Sequence, residues 1–160
     1  MPILSAENNF KKGLVALVDN DPDRAVDFFR QALDIERHRR VRRPEWRYLS
    51  YYGLSLAQSG NPGPRAIEAC EIAATREAVR ADLYLNLGRV ALMAGSVDRA
   101  REALQKGLEI DPRNLALIAE LSRVCRRTRS PVPGLHRNHR INRVLGTLRA
   151  HMRTRAPRQP

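Results

Sequence analysis

Three glycines, Gly13, Gly53 and Gly88, each open the same pattern of small and bulky residues. After Gly88 come Ala91, Ala100, Leu104 and Gly107. After Gly53, with one extra residue in the "SGNPGP" turn, come Leu56, Ala66, Cys70 and Ala73. After Gly13 come Ala16, Ala25, Phe29 and Ala32. The pattern marks three units, about 6–39, 46–80 and 81–114, with 40–45 inserted after the first. Each glycine would sit inside a helix, where it costs about 1 kcal/mol against alanine. A cost repeated three times implies a repeated gain, the close approach of a neighbouring helix. Such helix pairs cannot bury an apolar face alone, so they stack and share a core.

Turn signals agree with this division. "DNDPD" places Asp21 as an N-cap and Pro22 at the first helical position. "AGSVD" ends one helix at Gly95 and starts the next with Ser96 as its cap. "IDPRN" closes the third unit. In "LALIAELSRVCRR", Leu117, Ile118, Leu121, Val124 and Cys125 recur at helical spacing. That segment, 115–127, reads as a final helix covering the open end of the stack. The fold class expected is all-α: a solenoid of three helix–turn–helix units, a capping helix and a basic tail over 128–160.

The units resemble tetratricopeptide repeats, helix pairs of about 34 residues. The third carries the resemblance best, in Tyr84, Leu87, Gly88, Ala91, Ala100, Leu104, Gly107 and Pro112. The second keeps Leu49, Tyr52, Gly53, Ala66 and Ala73 but lacks the closing proline. The first keeps Gly13, Ala25, Phe29 and Ala32, with Lys12 where leucine is usual. The resemblance implies a right-handed superhelix whose first helices line a concave face, and a scaffold that binds a peptide or partner helix there.

Helix phase then assigns the lining. The first unit offers Glu7, Phe10, Lys11, Leu14 and Leu17; the second Arg47, Ser50, Tyr51, Leu54 and Ala57; the third Asp82, Leu85, Asn86, Arg89 and Leu92. A partner-binding groove is expected at Phe10, Leu14, Arg47, Tyr51, Leu54, Asp82, Asn86 and Arg89. The alternative for Phe10, Leu14 and Leu54 is that they belong to the core. Some members of the family grip a C-terminal carboxylate with Lys, Asn and Arg on these helices. Here Phe10 and Leu14, Tyr51, and Asp82 and Asn86 stand at the matching places, so a ligand of that kind is not expected.

The net charge of +12 is unevenly placed. Residues 1–120 hold 18 Lys and Arg against 17 Asp and Glu, whereas residues 121–160 hold 11 Arg and no acid. The insertion "RHRRVRRP" forms a basic patch of Arg37, Arg39, Arg40, Arg42 and Arg43. It reads either as a site for phosphate or an acidic partner, or as a solvated helix end that complements the dipole. In the tail, Pro131, Pro133 and Gly134 mark a link. Over 140–153, Ile141, Val144, Leu145, Leu148 and Met152 fall on one side of a basic amphipathic helix. Three roles are open to it: docking on the repeats, pairing with a partner or a second copy, or lying on an acidic membrane or nucleic acid. Nucleic acid is the less expected partner, because aromatic residues to stack on bases are absent beyond residue 84.

Reactive constellations are missing from the pattern. His136 and His139 form HxxH with His151 downstream, but nearby carboxylates or thiols to complete a metal site are absent. "DNDPDR" starts like a calcium loop, yet Arg24 and Arg30 stand where glycine and glutamate are needed. Cys70 and Cys125 fall on apolar faces and read as small core hydrophobes. No cofactor and no catalysis are expected. The opening residues lack a secretory apolar run and no stretch reaches the roughly 18 apolar residues of a membrane span, so a cytoplasmic location is expected. The leading reading is a non-catalytic adaptor; the alternative is an anionic-surface or nucleic-acid binder driven by the Arg-rich tail.

Overall fold

The structure, a computed structural model, describes residues 5–128, with side chains through Cys125. These residues form seven helices and no strand. They are α1 (Ala6–Val18), α2 (Pro22–His38), α3 (Trp46–Gln58), α4 (Pro64–Arg76), α5 (Ala81–Met93), α6 (Val97–Ile110) and α7 (Leu115–Thr128). Helices pack as the pairs α1–α2, α3–α4 and α5–α6. Each later pair leans on the one before, through α2–α3, α4–α5 and α3–α5. The chain divides within α7 into two units, Met1–Leu121 and Ser122–Pro160. The tail and the amphipathic segment expected at 140–153 lie outside the described residues.

The recurrent glycines are where helices of a pair touch. A Cβ on Gly13 would stand 2.5 Å from the Phe29 ring, and one on Gly88 2.6 Å from Leu104 Cδ2. At Gly53 it would stand 2.7 Å from the Ala66 carbonyl oxygen and 2.8 Å from Cys70 Sγ. Gly107 plays the same part toward Leu117 of α7. The matching alanines Ala25, Ala66 and Ala100 have no exposed surface. Small residues thus let backbones approach, and Phe29, Cys70 and Leu104 fill the space that remains.

The turns inside pairs share one device. α1, α3 and α5 end in a left-handed residue, Asn20 (φ 58°), Gly60 (φ 91°) and Gly95 (φ 77°). The next amide then reaches back to Ala16, Leu56 or Ala91 oxygen at 2.8–3.0 Å, the Schellman pattern. Asp21 caps α2, accepting from the Arg24 amide at 3.1 Å, with Pro22 in the first turn. Ser96 does stand at the N-cap of α6, but its side chain makes no capping bond. The sequence-based expectation of a serine cap holds there for position only.

Candidate partner-binding face

α1, α3 and α5 present one face, and polar contacts at three junctions stitch it along the stack. Between α1 and α3, Arg47 Nη2 donates to Glu7 Oε2 at 2.7 Å, and the Tyr48 hydroxyl donates to the same oxygen at 2.9 Å. Between α3 and α5, Asn86 Nδ2 donates to Ser50 Oγ at 3.2 Å. Between α5 and α7, Arg89 Nε donates to Glu120 Oε1 at 3.2 Å. Burial, and then the Glu7 carboxylate that accepts its hydrogen bond, keep the Tyr48 phenol protonated well beyond its usual range. Burial likewise raises Tyr51, reinforced by the nearby Asp82 charge.

The expected groove residues divide by this geometry. Phe10 and Leu54 are each 3% exposed, so the core alternative describes them. Phe10 packs against Phe29, Tyr48 and Tyr51 with centroids 4.9–5.5 Å apart, and the Arg47 guanidinium stacks on it at 4.8 Å. Asn86, 2% exposed, is likewise withdrawn, because its amide serves Ser50 rather than a partner. Leu14, Arg47, Tyr51, Asp82 and Arg89 are half-buried at the surface of the face. Arg47 is engaged by Glu7, Asp82 by Arg80 at 2.7 Å, and Arg89 by Glu120. The charges of the face are thus spent largely on one another.

What stays open is apolar. Val18 and Met93 are exposed, and Leu14, Leu17, Leu85 and Leu92 are half-buried. At the C-terminal ends of α1, α3 and α5 a more polar depression of about 290 Å³ is lined by Leu17, Asn20, Pro22, Ala57, Gln58 and Met93. Sequence reasoning missed Val18, Met93 and Glu120. Val18 and Met93 each follow a residue it did assign, Leu17 and Leu92. Glu120 was available by carrying the repeat register past Asn114, where it takes the place of Asn86.

The basic patch is a separate feature. Arg37, Arg39, Arg40, Arg42 and Arg43 are all exposed at the end of α2 and in the loop to α3. Arg37 lies 3.9 Å from Asp34, and both are exposed. Cys70 is fully buried, donates to the Ser50 carbonyl at 3.3 Å and has its pKa pushed up to about 12 by burial. Such a thiol is a packing group rather than a nucleophile. Among the described residues no three His, Cys, Asp or Glu side chains gather as metal ligands would. No described helix is long and apolar enough to cross a membrane. The three histidines of the tail lie outside the described residues.

Comparison with known proteins names the repeat in the middle of the chain. The pattern of the tetratricopeptide repeat matches residues 53–114, and the seven described helices continue the same architecture on both sides. The chain carries tetratricopeptide repeats. No curated protein matches its sequence. Among solved structures, the tetratricopeptide domain of Sgt2 from Aspergillus fumigatus is 21% identical with a TM-score of 0.65, over 86% of this chain and 93% of that one. The first such domain of human RPAP3 is 16% identical with a TM-score of 0.64, over 76% and 90%. PcrH in complex with the chaperone binding region of PopB is 15% identical with a TM-score of 0.57, over 76% and 92%. At these identities the likeness is one of fold. On the face of α1, α3 and α5, Arg47, Asp82 and Arg89 are ion-paired, and Val18 and Met93 are exposed.

Proposed function

We propose that the chain is a non-catalytic adaptor that holds a segment of another protein against the face formed by α1, α3 and α5. The observation that carries this is the pair of exposed apolar side chains Val18 and Met93, with half-buried Leu17, on the first and third helix pairs, beside a depression that Ala57 and Gln58 of the second pair help to line. A related fold, the first repeat domain of Spaghetti (RPAP3), is bound to the peptide SRMEEVD of HSP90, and PcrH to a region of PopB. Both support the use of this architecture for peptide binding. The HSP90 peptide does not transfer directly, because the face here lacks an open cluster of Lys, Asn and Arg to grip a terminal carboxylate. The segment held is one with apolar anchors against Val18 and Met93, which are exposed, since each Å² of apolar surface removed from water yields about 25 cal/mol.

The test is capture of partners from native extract by the full chain, beside Val18→Asp together with Met93→Glu. Both positions are exposed, so the helical circular dichroism and melting temperature stay unchanged. The expected outcome is loss of captured proteins from the double variant. Recovery of the same proteins at the same yield by both would remove this face from the proposal.

A further inference from the structure

A second face, distinct from the one above, lies at the open end of the first helix pair. Val15, Ser55 and Val90 hold the same place, two residues after the recurrent glycine. Ser55 and Val90 have no exposed surface, whereas Val15 is 59% exposed. Val90 is buried because it sits in one cluster with Leu54, Ala57, Ile67 and Cys70 of the preceding pair. Phe28, Ala69 and Ala103 share another place, three residues after the recurrent alanine, and Ala69 packs on Gly53 within its own pair. Ala69 and Ala103 are 7% and 4% exposed, while Phe28 stays only half-buried. The repeat therefore builds a seat for a helical neighbour on each pair, and on the first pair no described helix fills it.

The empty seat has a shape. Two hollows lie along the α1–α2 seam, about 400 Å³ beside Val15 and Phe28 and about 380 Å³ beside Asn9 and Ile35. Asn9, Lys12 and Ala16 on α1, and Arg24, Phe28, Gln31 and Ile35 on α2, recur every three or four residues, so each set forms one stripe. The seam runs about 15 Å at 1.5 Å per residue, enough for a helix of nearly three turns. It also has a charge. The Lys12 ammonium and the Arg24 guanidinium stand over the Phe28 ring, 5.9 and 5.6 Å from its centre. Lys11, expected on the concave face, lines this hollow instead, beside the single carboxylate Asp19; the other hollow adds Asp34, which faces Arg37, with His38 and Arg39.

We propose that this seat docks an amphipathic helix of another protein, apolar on one side and rich in Asp and Glu around it. Charge selects this occupant over the two nearer at hand. The chain's own residues 121–160 bring 11 Arg and no acid. A second copy meeting the seat symmetrically would set Lys12 and Arg24 against themselves. An acidic helix places carboxylates beside Lys11, Lys12 and Arg24 while its apolar side chains cover Val15 and Phe28, the helix-in-groove mode of recognition.

The probe is a labelled synthetic peptide of about 18 residues, or five helical turns, with leucines on one face and glutamates elsewhere. It is titrated into the full chain by fluorescence anisotropy, beside a sister peptide with lysines for glutamates. The expected result is saturable binding of the acidic peptide only, weakened about tenfold by Lys12→Glu with Arg24→Glu, and weakened by Val15→Asp. Met93→Glu, which tests the other face, leaves this titration unchanged. Circular dichroism confirms that each variant is folded. The proposal is overturned if the acidic peptide fails to bind, if both peptides bind alike, or if Val15→Asp has no effect. It is equally overturned if Val15→Asp turns a dimer of the chain into a monomer in sedimentation, or shifts the amide signals of residues 141–152, since a second copy or the tail would then be the occupant.

Discussion

Gly53 shows most sharply how single residues hold this stack together. Its missing side chain admits the Ala66 carbonyl oxygen, a backbone atom that cannot rotate aside, and the Cys70 sulfur on the other flank. Gly53→Ala gains helix propensity yet forces α3 and α4 apart, so a net loss of about 2 kcal/mol is expected from urea denaturation. Gly95→Ala meets no neighbour but inherits a φ of 77°, and loses about 1 kcal/mol from that strain alone. Cys70 adds a pH dependence. Its thiol titrates at about 12 when folded against an ordinary 9.0, so the folded state holds its proton more tightly. That contribution is complete below pH 9 and is lost as pH rises from there toward 12. Urea midpoints measured at pH 8, 10 and 11 should fall, and Cys70→Ala should flatten the first part of the fall.

At the level of elements, the turn after α2 follows the turns inside the pairs rather than those after α4 and α6, which end at Glu77 and Asp111 with negative φ. Arg40 takes the left-handed position (φ 48°) that Gly60 and Gly95 take after α3 and α5, and the Val41 amide still reaches back to Glu36 oxygen at 3.2 Å. Arg40→Gly should therefore raise stability by roughly 1 kcal/mol, seen as a higher urea midpoint with an unchanged slope. Helices and their pairing were legible in the sequence because the seats for them are steric and repeat: Gly13, Gly53 and Gly88 opposite Phe29, Cys70 and Leu104. The surface of the face was not. Phe10, Ser50 and Leu85 share one place in the repeat, yet Phe10 and Ser50 are buried and Leu85 is half-buried. What decides this is the neighbour across the seam, Tyr48 and Tyr51 for Phe10, Asn86 for Ser50. Contacts of that kind join residues some 40 apart and leave no trace in the spacing of either helix.

Over the molecule, polar contacts fall at each junction from α1 to α7: Glu7 with Arg47 and Tyr48, Ser50 with Asn86, and Arg89 with Glu120. A repeat stack is stabilised by its units and by nearest-neighbour interfaces, so damage at one junction stays local. Arg47 tests this, because it joins Glu7 and covers the Phe10 ring. Its ion pair is partly solvated, with side chains 28% and 40% exposed, and is worth about 0.5–1 kcal/mol. The stacked guanidinium adds a comparable amount. Arg47→Ala should accordingly weaken the α1–α3 junction by about 1–2 kcal/mol without touching α5–α6. Amide hydrogen exchange reads the difference directly. Protection should drop tenfold or so across α1 and α2, since 1.4 kcal/mol is one decade, and stay level in α5 and α6. An equal drop in every helix would mean that the stack opens as one cooperative block, and that these contacts act through the whole molecule rather than pair by pair.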